Sequence, residues 1–337
     1  MEFAAAGETV LVQDNRYTHA GDILGRAWRA RVMPALPIAL AALWPLTALA
    51  HDGASHPQDH LSHAWNWQPE VLAGVAVSGG LYGRGVRALW HRAGTGRGIA
   101  VWRTAAFGGG LLGLLVALVS PVDSLGVALF SVHMVQHLLL VLVAAPLLIL
   151  GEPVLAGLWA LPRSWRRALG ATWREAGRLR WVWRGGTAPP VTWLIHAGVL
   201  WCWHLPRLFD ATLSNGALHA LEHAMFLGTA VLWWWSVAQT GRRRRLGYGV
   251  GLLAVFTMGV QGGALGALLA FARRPWYPTY AGSTAAWGLS PLQDQQLAGL
   301  IMWAPAGGVY MIAAAVLFTA WLRAAERRAH RAQRHRR

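Results

Sequence analysis

The sequence predicts an all-α fold: a polytopic integral membrane helix bundle of seven transmembrane helices, preceded by a signal-like N-terminal segment. Three observations lead there. The 337 residues are 55% hydrophobic and 13% charged with a mean hydropathy of +0.35, whereas a soluble chain carries roughly a quarter charged residues. Apolar runs recur near 70–84, 99–120, 124–150, 190–206, 214–238, 247–272 and 296–322, and most approach the ~20 residues that a spanning helix needs. Basic residues load every second connection, which is the pattern of loops facing the cytoplasm.

The charge placement also orients the chain. Arg84, Arg87, Arg92 and Arg97 follow the first run; Arg163, Arg166, Arg167, Arg174, Arg178, Arg180 and Arg184 follow the third. Arg242 to Arg245 follow the fifth run, and Arg323, Arg327, Arg328, Arg331, Arg334, Arg336 and Arg337 follow the seventh. The acids Asp52, Asp59, Glu70, Asp123, Asp210 and Asp294 occupy the alternate connections. The mature N-terminus is therefore expected outside and the C-terminus on the cytoplasmic side of the membrane. The net charge of +16 becomes a cytoplasmic coat that meets anionic lipid rather than nucleic acid.

The elements follow in order. Residues 1–50 form a leader: a basic stretch from Arg26 to Arg31, an apolar core from Pro34 to Leu49, and Ala48-Leu49-Ala50 as a small-x-small end. That is a secretory signal pattern cleaved after Ala50, with an uncleaved anchor as the alternative. Residues 51–69 are an extracytoplasmic segment whose His51, His56, His60 and His63 form a tract of the kind that captures metal. Cleavage after Ala50 would add the α-amine of His51 as a further donor; a disordered polar tail is the competing reading. The seven-helix domain covers 70–322. Its cytoplasmic loop 152–189 mixes Trp and Arg, which predicts one or two amphipathic helices at the inner interface. Residues 323–337 are a basic cytoplasmic tail. Trp233-Trp234-Trp235 marks the inner end of the fifth span, and Gly108 to Gly110, Gly262, Gly263 and Gly266 are close helix approaches. Cys202 is the single cysteine, so no Cys cluster holds a metal, and it is expected to pack as a small buried apolar residue.

The histidines carry the chemistry. Six of the 14 fall inside the runs: His133, His137, His196, His204, His219 and His223. An ionisable group in hydrocarbon costs several kcal/mol unless it is neutral, paired or ligating. His133 with His137, and His219 with His223, stand at i, i+4 spacing, which puts each pair on one helix face. Counted at ~1.5 Å per residue from the outer ends, His133 comes about 15 Å deep, His137 about 20 Å and His223 about 13 Å. His196 is at a comparable depth and His204 is at the mouth, so the six are expected to line one outer-half cavity that holds a metal. A lone buried histidine often does no more than bond a backbone carbonyl, and that bland reading applies to each of them singly. Gln136 shares the His133/His137 stripe as a donor that fixes a ring tautomer. Met134 points about 100° from His133 and reads as packing. Met302 and Met258 offer thioethers or fill space.

Glu222 is the only acid well inside a run and completes His219-Ala-Leu-Glu222-His223. This matches the H-x-x-E-H pattern of zinc metallopeptidases, with Asp294 as a third ligand. The competing role for Glu222 is to polarise a ligating histidine or balance the cation.

Four stretches carry a resemblance: Ser131-Val-His133-Met134-Val-Gln136-His137 continuing to Gly151, Trp201-Cys-Trp203-His204-Leu-Pro206, His219 to Leu227, and Pro291-Leu-Gln-Asp294-Gln295 continuing to Trp303. Together they resemble the multi-span CtaG family of cytochrome c oxidase assembly factors over about residues 67 to 325. The resemblance implies a plasma-membrane protein that helps mature a haem-copper oxidase and is not an enzyme. Its partners would be oxidase subunits and an extracytoplasmic copper carrier. Imidazole with optional thioether suits Cu(I). The expected route is capture at His51 to His63, passage by His204, storage between spans three, four and five, and release, with Asp294 and Gln295 gating or contacting the partner. A bis-His haem protein, with His137 and His223 as axial ligands, is the remaining alternative.

Overall fold

The computed structural model describes residues 65–240 and 247–334. The leader, the tract His51, His56, His60 and His63, and Arg242 to Arg245 lie outside the described residues. Those described form helices, with no strand among them. In chain order they are α1 (Pro69–Ala93), α2 (Val101–Leu118), α3 (Pro121–Ala128), α4 (Phe130–Leu138), a π-helical turn (Leu139–Ala144), α5 (Ala145–Leu150), α6 (Pro153–Ala160), α7 (Arg163–Glu175) and α8 (Gly177–Gly186). They continue with α9 (Pro189–Trp203), α10 (Pro206–Ser214), α11 (Gly216–Gln239), α12 (Tyr248–Ala270), two short 3₁₀ turns within 278–287, and α13 (Pro291–Arg334).

Four helices are long and apolar enough to cross a bilayer: Val101–Leu118, Phe130–Leu150, Tyr248–Ala270 and Pro291–His330. Their outward faces carry Leu112, Leu253, Phe256, Ile312 and Val316, all exposed, as suits a helix whose apolar surface meets lipid rather than water. This is a helical membrane protein. The other three expected spans coincide with α1, α9 and α11, and each falls short in its own way. Arg84 and Arg87 interrupt the last third of α1. At 15 residues, α9 rises only ~22 Å against a hydrocarbon core of ~30 Å. The first turns of α11 hold His219, Glu222 and His223.

The run 124–150, expected as one helix, divides. Leu129 takes extended dihedrals (φ −131°, ψ 123°) and separates α3 from α4. The Ser120 hydroxyl accepts the Val122 N–H and starts α3 one residue before Pro121, a cap followed by a proline that has no N–H to lose. The long α4–α5 rod then changes pitch at Leu139–Ala144. Pro146 cannot donate to the preceding turn, which leaves carbonyls over for other donors. The indole N–H of Trp234 donates to the Val141 carbonyl at 2.8 Å.

Trp233, Trp234 and Trp235 are all buried, in a core with Phe226, Met258 and Tyr310; they pack the bundle rather than anchor its edge. Gly266 and Gly299 bring α12 and α13 into backbone contact, since a Cβ on Gly266 would stand 2.8 Å from the Gly299 carbonyl oxygen. Gly108, also expected at a close approach, has nothing within 4 Å of its Cβ position.

The loop 152–189 holds an apolar helix in addition to two amphipathic ones. Apolar α6 buries Val154, Ala156 and Leu158, and Ala156 meets Gly85 of α1 so closely that a side chain there has no room. Helices α7 and α8 are amphipathic, with Trp165 and Trp181 exposed, and the Arg166 guanidinium lies 4.3 Å from the Trp159 ring centre. The expected tail continues α13 as helix to Arg334, because its Ala, Arg and Glu residues are strong helix formers. Cys202 is exposed on α9, not buried as expected; a thiol is apolar enough to face outward from a membrane bundle.

Candidate metal centre

Helices α4 and α11 start at the same end of the bundle and run side by side. Each start is capped. The Asp294 carboxylate, from the first turn of α13, accepts the Phe130 N–H at 2.7 Å and the Ser131 N–H at 3.1 Å. A carboxylate is suited to this place, because the first amides of a helix lack partners and carry partial positive charge. The Asn215 side chain accepts the Leu218 N–H at 3.1 Å and starts α11. Because both helices run the same way, their i, i+4 pairs meet as two rungs. The His133 and His219 rings lie 5.3 Å apart, and the His137 and His223 rings 5.4 Å apart. The break at Leu129 makes the first rung shallower than expected: His133 is only about 5 Å from the start of its helix.

Glu222 sits between the rungs. One oxygen is 3.7 Å from His133 Nε2 and the other is 3.6 Å from His137 Nε2, too far for hydrogen bonds. Both Glu222 oxygens and all four ring nitrogens of His133 and His137 are buried without a well-formed hydrogen bond; His133 has only a loose contact with the Gly126 backbone and Glu222 with the Thr212 side chain. Each orphaned polar group costs about 1–3 kcal/mol, so six in one place need a shared explanation. One donor atom each from His133, His137, Glu222 and His223 lies within 4.8 Å of all the others. Donors around a tetrahedral ion with bonds of ~2.0–2.2 Å stand roughly 3.4 Å apart, close to the two His–Glu distances. The donor set is three imidazoles and a carboxylate, which fits a divalent or a soft first-row ion such as zinc or copper.

Aromatic rings close this end. The His137 ring packs on Phe226 at 4.4 Å and the His133 ring against Phe209 at 5.0 Å. Phe130, Phe209, Tyr277 and Tyr280 pack beside them in edge-on and tilted contacts. The α12–α13 loop is pinned over the site: Tyr277 donates to the His204 carbonyl, Tyr280 to the Gly126 carbonyl and Ser283 to the Ala128 carbonyl.

The remaining expected site residues are placed as follows. His219 is buried beside the four-donor group, its ring 4.2 Å from that of His223. His204 is buried with its ring 6.3 Å from that of His137. His196 is outside the group, with Nδ1 2.8 Å from the Thr229 hydroxyl. Gln136 donates to the Ala117 carbonyl at 2.8 Å and to Asp123 at 2.7 Å, tying α4 to α2 and α3. Gln295 accepts the Trp276 N–H at 2.6 Å and so holds the covering loop. Met302 is buried in a cluster with Met134 and Phe209. Two contributors were missed. Phe226 falls at i+3 from His223 and shares its stripe, a signal already present in the spacing. Met134, read as packing, places its sulfur 3.4 Å from His204 Nε2, and no spacing within α4 indicates that contact.

A membrane helix bundle with a buried His/Glu cluster is thus defined by its geometry. The chain belongs to the cytochrome c oxidase caa3 assembly factor family, Caa3_CtaG, whose model matches residues 80–324. It is also similar to two proteins described as uncharacterized, Mb0105 of Mycobacterium bovis and MT0111 of Mycobacterium tuberculosis. Each is 28% identical over 284 residues, covering 78% of this chain and 40% of the relative. The chain therefore spans about two fifths of the length of the curated relatives it matches. No solved structure matches it.

Proposed function

We propose that this assembly factor handles copper for a haem-copper oxidase: the ion is cargo, held by His133, His137, His223 and Glu222 and then released to an oxidase subunit. In this reading the bundle has seven spans in a bacterial plasma membrane. Its His/Glu end faces outward, toward copper carried by an extracytoplasmic donor, and the Arg-rich helices α7 and α8 face inward on anionic lipid. His51, His56, His60 and His63 capture the ion, His204 passes it on, and His219 exchanges with His223 as a ligand. Asp294 and Gln295 fix the loop and helix start that the ion must pass.

The observation that carries this reading is the set of six orphaned donor atoms on His133, His137 and Glu222. An ion satisfies them together, and imidazole suits copper. The zinc-peptidase alternative needs Glu222 free to activate water and Asp294 free to ligate. Glu222 instead belongs to the four-donor group, and both Asp294 oxygens accept α4 amides. The bis-His haem alternative needs room for a flat macrocycle between His137 and His223. Those two rings are only 5.4 Å apart, and the His133 ring crowds both, 4.4 Å from His137 and 5.9 Å from His223.

The test is metal analysis and anaerobic Cu(I) titration of the purified full chain, wild type against Glu222→Gln and His133→Ala/His137→Ala. Changes outside the ligand set alone cost ~10–100-fold in metal affinity, so loss of two ligands is expected to exceed ~100-fold. Equal affinity in wild type and the double variant would overturn the reading, and a Soret band in the purified protein would move it to haem.

A further inference from the structure

A second pair of donors lies beside the cluster, and its two atoms face each other without a proton between them. His204 Nδ1 is 2.7 Å from the Leu200 carbonyl oxygen. A carbonyl only accepts, so Nδ1 carries the hydrogen and, in the neutral ring, Nε2 holds a lone pair. That lone pair meets the Met134 sulfur at 3.4 Å, and a thioether is itself an acceptor without a hydrogen to give. Both residues are buried, Met134 at 0% and His204 at 3% exposure, so water does not separate them. Two acceptors pressed together in an apolar setting need a shared electrophile.

We propose that His204 Nε2 and Met134 Sδ form a second metal site, selective for a soft monovalent cation of the Cu(I) class and distinct in chemistry from the His/Glu cluster. This deepens the proposed copper handling and rests on it for the identity of the cargo. Thioether sulfur favours soft ions and a carboxylate favours harder ones, so neighbouring sites sort an ion by its softness. The spacing suits transfer, since the His137 ring is 6.3 Å from the His204 ring and Phe226 packs on both. The Tyr277 hydroxyl bonds the His204 carbonyl at 2.9 Å, so the pair lies directly under the covering loop.

The experiment uses the purified full chain with Cys202→Ser as background, Ag(I) as the soft, redox-inert probe and Co(II) as the divalent probe. Met134→Leu keeps size and apolarity, and it is expected to weaken one Ag(I) equivalent at least tenfold while leaving Co(II) binding unchanged. Glu222→Gln is expected to weaken Co(II) binding while keeping the Ag(I) equivalent that Met134→Leu loses. Should Met134→Leu fail to fold, silver-edge X-ray absorption on the background protein at one equivalent decides the matter, with a sulfur scatterer expected in the first shell. Unchanged Ag(I) affinity in Met134→Leu, or a nitrogen-only shell, overturns the soft site and leaves the copper cluster standing. If Glu222→Gln loses Ag(I) and Co(II) together, one cluster serves both ions and the sorting is overturned. If Glu222→Gln keeps Co(II), the four-donor reading itself fails, while the Met134 result still stands or falls separately.

Discussion

Two buried histidine regions of the same bundle behave in opposite ways. His196 on α9 is 1% exposed, and its Nδ1 meets the Thr229 hydroxyl at 2.8 Å, while that hydroxyl donates on to the Met225 carbonyl. His133 on α4 is 0% exposed, and neither of its ring nitrogens makes a well-formed hydrogen bond. Burial is the same and the residue type is the same, so neither explains the difference. What differs is the neighbour across the helix interface: a hydroxyl that completes a closed chain for His196, and for His133 a carboxylate oxygen 3.7 Å away and further imidazoles, none in hydrogen-bonding position. A buried histidine becomes a ligand candidate when the facing helix brings it more acceptors, not when it is merely buried.

That contrast can be broken in stages. The largest effect is expected at the cluster, where the double His133/His137 variant loses more than ~100-fold in Cu(I) affinity, an amount beyond that of any supporting residue; metal titration measures it. The same titration on Met134→Leu, with silver, is expected to show the tenfold change at the soft pair alone.

Asp294→Ala comes next, because it acts on the cluster only through the start of α4. It removes two charge-assisted bonds from a buried helix terminus, and hydrogen bonds to charged groups are worth ~1.5–3 kcal/mol each. A drop of about 3–6 kcal/mol in stability is expected in detergent unfolding, with a smaller loss of metal affinity than in the His133/His137 variant. A metal loss equal to that of the double variant would make Asp294 a ligand rather than a cap.

The smallest effect belongs to the satisfied histidine. Thr229→Val leaves His196 without its hydroxyl and is expected to cost ~1 kcal/mol, read as a modest shift in the unfolding midpoint. Cu(I) and Ag(I) titrations should not change. A metal-binding defect in Thr229→Val would erase the distinction between the two regions.

Much of this was legible beforehand, for identifiable reasons. The spacing of His133 with His137 and of His219 with His223 fixes which residues share a face, since side-chain direction within a helix follows its 3.6-residue period. Glu222 was visible as the one acid well inside a run, although its position between two rings of another helix was not. The break at Leu129 was hidden because the residues on both sides are equally apolar, and composition cannot separate a straight helix from a bent pair. Gln136 was read as a partner for a histidine, yet it bonds Asp123 and the Ala117 carbonyl; a residue on the right stripe still has an edge from which it can turn to another neighbour.

By itself, the sequence determined the class of protein, the alternating charge of its connections, the helix faces that carry the imidazoles and the family to which the chain belongs. These are properties of local composition and of a single helix's period. Only the tertiary structure decided which faces meet: Glu222 among His133, His137 and His223, Met134 against His204, and Asp294 on a helix start 164 residues away. Those pairings depend on how closely the rods approach and in which direction each runs, and packing between helices sets both.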